Sequence, residues 1–255
     1  MNVFAWACIM LSFMKALEKK LTDHRCLIFI DLEGTQTSHE IIEIGAYKVL
    51  LRDDLTIKKI FKPYHAFVLA KHRVGPIVTK LTGITDLQLK REGIPFRTMQ
   101  LQLKKYIGKD FKNPLFVSYG PTDATMFLAS SENNMDASTD EARFVARHFF
   151  DLAAFVGQYL RDEKNDNILS LTNALKAYEV DFEGTAHNAQ DDAYNLLLLY
   201  KAFLEKPHIT LKHYMKVLGR AGHLPGPIAA VIARLNKGET VTPEVFRKCA
   251  EDALK

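Results

Sequence analysis

The alternation of apolar and polar residues predicts that the first part of the chain forms a sheet. The unbroken apolar run from Leu27 to Ile30 is typical of a strand that is buried on both faces. The segment from Glu40 to Leu50 alternates in its first half and predicts a second strand. Leu55 to Tyr64 predicts a third extended segment, which Pro63 ends. Because short turns join the three segments, we expect an antiparallel meander.

The later part of the chain predicts helices that alternate with strands. Residues 74–107 have helical character, and the short apolar run from Leu115 to Tyr119 predicts a fourth strand. Phe144 to Phe150 fits either a fifth strand or the front of a helix. Three further helices are predicted over residues 151–163, 169–178 and 188–205. A meander followed by alternating helix and strand predicts an α/β fold, with helices on both faces of a mixed sheet.

The two ends of the chain predict additional helices. Val3 to Leu11 is apolar but too short to span a bilayer, and we expect residues 2–22 to form a helix docked on the domain or on a partner. In the tail, Thr242 followed by Pro243 has the pattern of a helix start. The predicted organisation is therefore an N-terminal helix, a central domain and a helical extension, over residues 1–25, 26–205 and 206–255.

Composition narrows the class of protein. The 255 residues can form one domain, or a domain with an appendage, and the 47% apolar and 25% charged residues are those of a soluble globular protein. Cys8, Cys26 and Cys249 are odd in number and far apart, which argues against a disulfide framework or a zinc knuckle. We therefore expect a cytoplasmic protein without a membrane segment.

The net charge of +4 is unevenly distributed. Residues 206–255 carry nine lysines and arginines against four acids, a net charge of +5, which leaves −1 for the other residues. Such a basic stretch is typical of an appendage that binds a polyanion. A solvated helical tail whose charges serve solubility has the same pattern.

Two acids at the end of the first strand are the first candidate chemistry. Asp31 and Glu33 are two positions apart, so that they point to the same side of a strand, and they follow a buried apolar run. Two acids in such a place either bind a cation or repel each other. The alternative is a polar strand end that enters solvent, with Gly34 and Thr35 making the turn.

Two further acids and a histidine stand at comparable places. Asp192 is in line with an apolar helical stripe that includes Leu196, so its carboxylate needs a partner. His187 lies just before this helix, a position from which its side chain can reach the same site. Asp123 follows the fourth strand and its turn, a position at which α/β folds place ligands. Each acid alone also fits a structural role at the positive end of a helix dipole.

Three segments contain these residues, Ile30 to Thr35, Tyr119 to Asp123 and His187 to Ala193. In order and spacing they resemble the three motifs of the DEDDh exonuclease superfamily, which includes RNase T, oligoribonuclease and the proofreading subunit of bacterial replicative polymerase. The resemblance covers about residues 26 to 205. It implies an RNase H-like fold with a five-stranded mixed sheet whose second strand is antiparallel.

The resemblance also implies metal-dependent phosphodiester hydrolysis. Asp31, Glu33 and Asp192 would hold the ion that binds the attacking water. Asp31 would bridge to a second ion, with Asp123 helping directly or through water. Hard ions such as Mg²⁺ or Mn²⁺ prefer oxygen ligands, and two of them can activate water and stabilise the leaving oxygen.

The remaining implied roles concern the base and the substrate. His187 would be the general base, and a histidine rather than a tyrosine here defines the h subclass. Backbone groups of Leu32, Gly34 and Thr35 would hold the 3′-terminal nucleotide. The expected activity is 3′-to-5′ exonucleolytic cleavage of single-stranded RNA or DNA. The alternatives are a phosphodiesterase for short oligonucleotides and a binding module on an inactive exonuclease fold.

Overall fold

The computed structural model describes residues 13–21, 24–220 and 224–253. The strands are β1 Cys26–Gly34, β2 Ile41–Leu51, β3 Ile57–Ile60, β4 Tyr64–Phe67, β5 Leu115–Ser118 and β6 Phe149–Asp151. The helices are α1 (13–21), α2 Pro76–Thr82, α3 Asp86–Glu92, α4 Phe96–Ile107, α5 Thr122–Asn133, α6 Thr139–Ala146, α7 Leu152–Val156, α8 Leu171–Ala177, α9 Ala189–Glu205, α10 Pro207–Arg220, α11 Gly226–Asn236 and α12 Pro243–Asp252. A 3₁₀ turn, Gly108–Lys112, follows α4.

The strands form one mixed sheet with β1 at its centre. Its order is β3-β2-β1-β5-β6, with β4 also paired to β2. β2 is antiparallel to β1, whereas β5 and β6 are parallel to their neighbours. The predicted α/β fold with a mixed sheet is confirmed, and the second strand is antiparallel as the resemblance implies. The sheet has six strands, of which five follow one another in order, where the resemblance implies five.

The outer position beside β2 contains two short strands. β3 pairs with the last residues of β2, and β4 pairs with Glu43 to Ala46 near its beginning. The two are separated by Phe61, Lys62 and Pro63, and a proline cannot donate a hydrogen bond to a ladder. The predicted third segment therefore continues beyond Pro63 instead of ending there.

The alternation of β1 divides the core between its two faces. Leu27 and Phe29 pack in the same core cluster as α9, and Ile28 and Ile30 pack in the cluster that contains α4. All four side chains are fully buried. Both faces of this strand are covered, so that no position within the core is exposed to solvent and suited to a charged residue. The first acid, Asp31, therefore appears only near the end of the strand.

The segment Phe144 to Phe150, for which the sequence allows either a strand or a helix, contains parts of both. Helix α6 ends at Ala146 and β6 begins at Phe149. The predicted helix over residues 151–163 is shorter than expected, since α7 ends at Val156.

Helix α1 and the start of the C-terminal tail pack on the central domain. Phe13, Leu17 and Leu21 of α1 are buried in the core on the α9 side of the sheet. The expected docking on the domain is thus seen for residues 13–21, and the rest of the predicted helix lies outside the described residues. In the tail, Thr242 caps α12 as predicted, by accepting a hydrogen bond from the Val245 N–H. Within the described ranges, no helix combines the length and the apolar composition that a membrane span requires.

Candidate active site

The end of β1 presents two acids on the face that meets helix α9. Asp31 is paired with Gly45 of β2, and Glu33 is paired with Glu43. The register shifts directly after Glu33, at an irregularity before the last pair of the ladder, Gly34 with Ile41. Asp31 and Glu33 therefore lie side by side at a sheet edge where ligand sites are common in α/β folds.

Helix α9 starts in direct backbone contact with β2. A Cβ atom built on Gly45 would overlap the carbonyl group of Ala189, so no side chain can be accommodated there. Only a glycine allows the first turn of α9 to approach the strand this closely. Since Gly45 is the partner of Asp31, this contact sets the first turn of α9 beside the acids of β1.

Asp192 extends from that first turn and completes a cluster of three acids. Carboxylate oxygens of Asp31, Glu33 and Asp192 all lie within 4.8 Å of one another, and each residue is partly exposed. We call these three residues the acid cluster. The structure thus brings together the acids of the first and third motifs in a geometry that can hold a cation.

Asp123 joins the site from the other side of β1. It lies in the first turn of α5, which follows the parallel neighbour β5, and its side chain is buried. The backbone N–H of Leu32 donates a hydrogen bond to its carboxyl group. Burial raises the pKa of Asp31 well above its usual value, and the nearby charge of Asp123 is the next largest cause. The acid of the second motif therefore lies close to the first acid of the first motif.

Burial and the neighbouring carboxyl groups raise the pKa values of the acids in the site. Burial, followed by repulsion from Asp192, Glu43 and Asp123, raises the pKa of Glu33 to about 8. Burial likewise raises the pKa of Asp123 to about 7 and the pKa of Asp192 to about 6. Among the described residues, no lysine or arginine forms an ion pair with any of these acids. The acid cluster therefore favours a bound cation.

His187 lies over the acid cluster on the turn before α9. Its Nδ1 atom is 3.9 Å from Oε1 of Glu33, and about half of its side chain is exposed. Its φ angle is +64°, a left-handed conformation that is unusual for a residue other than glycine. The backbone N–H of His187 donates to Asp192 Oδ2 over 2.8 Å, so Asp192 holds the turn in place.

The acid next to Asp192 has a different role. Asp191 accepts a hydrogen bond from the Thr185 N–H at 2.8 Å, and its own N–H donates to the side chain of Asn188, the N-cap of α9. Asp191 therefore fastens the preceding turn to the helix and takes the structural role that an acid near a helix start can have.

Glu43 belongs to this region, although the sequence did not predict it as a site residue. It is buried directly opposite Glu33, and like charges in this relation repel each other. Its carboxylate is 2.7 Å from Nε2 of His65 on β4 and accepts a hydrogen bond from the Ala189 N–H at the start of α9. The sequence contains a signal for Glu43, because an acid within an otherwise apolar strand needs polar partners. Those partners could not be identified from the sequence, since they come from two distant segments.

The three residues expected to contact the terminal nucleotide already make internal contacts. The N–H of Leu32 is directed to Asp123. The N–H of Thr35 donates to the Glu40 carbonyl, and its hydroxyl accepts from the Glu40 N–H. Gly34 lies next to Met126, whose side chain would be 3.0 Å from an added Cβ. Their contact with substrate stays a prediction.

Residues 28–200 match the family model described as RNase T, exonuclease, and the chain belongs to this exonuclease family. This match confirms the resemblance to the DEDDh exonuclease superfamily. No curated protein matches the chain.

Solved structures with the same fold include several nucleases. The nuclease domain of 3′hExo, a DEDDh family member bound to rAMP, is 18% identical with a TM-score of 0.57, over 72% of this chain and 94% of that one. Cell-death related nuclease 4 (CRN-4) is 17% identical with a TM-score of 0.54, over 71% of this chain and 64% of that one. E. coli exonuclease I in complex with a dT13 oligonucleotide is 16% identical with a TM-score of 0.55, over 75% of this chain and 43% of that one. These likenesses confirm the RNase H-like fold that the sequence predicts.

Proposed function

We propose that the protein is a metal-dependent 3′-to-5′ exonuclease that hydrolyses single-stranded RNA or DNA. The observation that carries this proposal is the convergence of Asp31, Glu33 and Asp192 within 4.8 Å, with His187 3.9 Å from Glu33. Family membership supports phosphodiester hydrolysis as the reaction. The proposed catalytic domain is residues 26–205, with 1–25 and 206–255 as additions to it.

The acid cluster fits divalent metal ions such as Mg²⁺ or Mn²⁺. Its donors are carboxylate oxygens, the ligands that these hard ions prefer, and its unbalanced charge favours a cation. Asp31, Glu33 and Asp192 would hold one ion. Asp31 would also contribute to a second, with Asp123 helping directly or through water. When bound, such ions supply a nucleophile near neutral pH and stabilise charge on the leaving oxygen.

His187 is the proposed general base. Its imidazole is half exposed beside the acid cluster, so the attacking water can reach it, and its Nδ1 atom lies 3.9 Å from the carboxyl group of Glu33. The hydrogen bond from its backbone to Asp192 keeps the imidazole at the site.

The proposed substrate is a single strand that enters with its 3′ end. Backbone groups near Leu32, Gly34 and Thr35 would surround the terminal nucleotide, because they follow the end of β1 beside Asp31 and Glu33. The rAMP in the 3′hExo structure and the oligonucleotide in the exonuclease I structure support a nucleic acid as the ligand of this fold. A location in the cytoplasm is part of the same proposal.

The test is a nuclease assay on single-stranded RNA, DNA and dinucleotides with a label at either end. We expect release of mononucleotides from the 3′ end in Mg²⁺ or Mn²⁺, none in EDTA, and a loss of roughly a hundredfold or more in Asp31→Asn. The control is Asp136→Asn, which changes an exposed acid in the turn after α5 and should retain activity. A folded wild-type chain that releases no nucleotide from any of these substrates would support the inactive binding module instead.

A further inference from the structure

Four basic residues of the C-terminal tail make internal contacts. Lys216 and Arg220 of α10 form ion pairs with acids of the loop before α8. Arg234 of α11 forms an ion pair with Glu239, and Lys206 donates to two backbone carbonyls. The positive charge that the sequence concentrates in the tail is thus partly used to hold the tail on the domain.

A second basic region is visible only in the folded chain. A cleft of about 340 Å³ lies at the end of the sheet opposite the acid cluster, and its lining includes His24, Arg25, Lys58, Lys109 and Lys112. These residues come from the segment just before β1, from β3 and from the 3₁₀ turn after α4. Lys58, Lys109 and Lys112 are exposed, and none of the three forms an ion pair with a described acid.

The groups of opposite charge in this cleft are already satisfied. Asp110 lies 2.7 Å from Nζ of the buried Lys48, which neutralises it. The thiol of Cys26 is kept neutral because burial, followed by the nearby Asp110, raises its pKa to about 11. Asp53, which is fully exposed, lies 3.9 Å from Nε of Arg25. The lysines thus face a cleft whose interior carries no unbalanced negative charge.

The sheet edge connects this cleft with the acid cluster. Along β1, the seven steps from Cys26 to Glu33 span about 23 Å. The edge strand β4 pairs with β2 beside Glu43, and β3 pairs with it nearer the cleft, where Lys59 is the partner of Leu50. Lysines on an edge strand also prevent association of sheets, but that purpose does not require Lys109 and Lys112 to converge with Lys58.

We propose that this cleft, defined by Lys58, Lys109 and Lys112, binds the phosphate backbone of the substrate strand several nucleotides upstream of the 3′ end. The inference rests on the proposed function and specifies its substrate as a strand that spans from the acid cluster to the cleft. At about 3.4 Å per stacked nucleotide, the span corresponds to roughly seven nucleotides. A dinucleotide in the acid cluster cannot reach the cleft, whereas a longer strand can neutralise its lysines.

The first test measures kcat/KM on single strands of increasing length. Wild-type protein should gain activity as strands grow beyond about seven nucleotides. A Lys58→Ala, Lys109→Ala, Lys112→Ala variant should lose this gain, on the order of tenfold for a strand of about twenty nucleotides, and keep the wild-type rate on a dinucleotide. Equal losses on all lengths, or no loss on any, would overturn the proposal.

A matched control removes the same charge elsewhere. Lys237, Arg247 and Lys248 are exposed in the last part of the tail, and their triple alanine variant has the same change in net charge. We expect this variant to retain the dependence on length. If both triple variants lose it equally, the effect is one of total charge and the cleft has no specific role.

A binding experiment separates this inference from the proposed catalysis. Anisotropy of a labelled strand of about twenty nucleotides, titrated in EDTA across a salt series, requires no hydrolysis. Removal of three phosphate contacts should reduce the slope of log K against log salt by about 2 in the cleft variant, with little change in the tail variant. An unchanged slope for the strand, with weaker binding of polyglutamate as the comparison probe, would assign the cleft to an acidic protein and overturn the proposal.

Discussion

Removal of one negative charge from the acid cluster should stabilise the metal-free protein. Glu33 is the most informative position, because its side chain is only 17% exposed and burial and the neighbouring acids raise its pKa from the usual 4.5 to about 8. A carboxyl group whose pKa is higher in the folded state binds more protons there than in the unfolded chain. Stability therefore falls as the pH rises through the window between about 4.5 and 8.

The size of the effect follows from the two pKa values. At a pH of about 8 the ionised Glu33 costs about 4 kcal/mol of folding free energy, and at a pH of about 5 it costs less than about 1 kcal/mol. Glu33→Gln removes this cost at both pH values, whereas any cost of burying the amide is the same at both. We therefore expect the variant to gain about 3 kcal/mol relative to wild type between these pH values, which corresponds to roughly 6 to 12 °C in Tm.

Thermal unfolding in EDTA at the two pH values measures this difference directly. Glu132→Gln is the control, since it changes an exposed acid on α5 in the same way. Addition of Mn²⁺ at the higher pH should stabilise wild type more than Glu33→Gln. The ion neutralises the acid cluster, and the variant lacks one of the carboxylates proposed to bind it. If the Tm of Glu33→Gln relative to wild type is the same at both pH values, the pKa of Glu33 is not raised in the folded protein and the argument is refuted.

Three further changes test the geometry around the site and the docking of the tail. Gly45→Ala should displace the first turn of α9 and reduce kcat on the order of a hundredfold, since a shift of about 1 Å in the catalytic groups is enough. The control is Gly226→Ala, where an added Cβ meets nothing closer than 3.8 Å, and this variant should retain the wild-type kcat. In His187→Asn the new residue can adopt the same left-handed backbone, and kcat should fall by about a hundredfold or more. Mn²⁺ binding, measured by calorimetry, should not change, and its loss would contradict a role of His187 as base. Tyr178→Phe should lower the free energy of unfolding in urea by about 1 kcal/mol, because it removes a buried hydrogen bond to Thr210 of α10, and it should have a smaller effect in a Thr210→Val background.

The start of the C-terminal tail is part of the folded core. Ile209 and Thr210 of α10 are buried against the domain, and the Tyr178 hydroxyl lies 2.8 Å from Thr210 Oγ1. A truncation at residue 206 would expose this surface. Charge substitutions are therefore a better test of binding by the tail than its removal.

Local patterns in the amino-acid sequence are enough to predict the individual parts of the candidate site. The apolar run of β1 followed by Asp31 and Glu33 establishes that two acids share one face of a strand, because side chains alternate along an extended chain. The apolar stripe of α9 establishes that Asp192 points toward the core, because helical side chains recur every three to four residues. Both conclusions need only the backbone geometry of one element.

The meeting of these elements depends on tertiary packing. The pairing of Glu33 with Glu43, the contact of Gly45 with Ala189 and the convergence of three lysines from separate segments on one cleft all require a particular strand register and helix position. These arise from interactions between residues that are distant in sequence, so no local pattern encodes them. The burial and mutual repulsion of these acids are for the same reason properties of the fold.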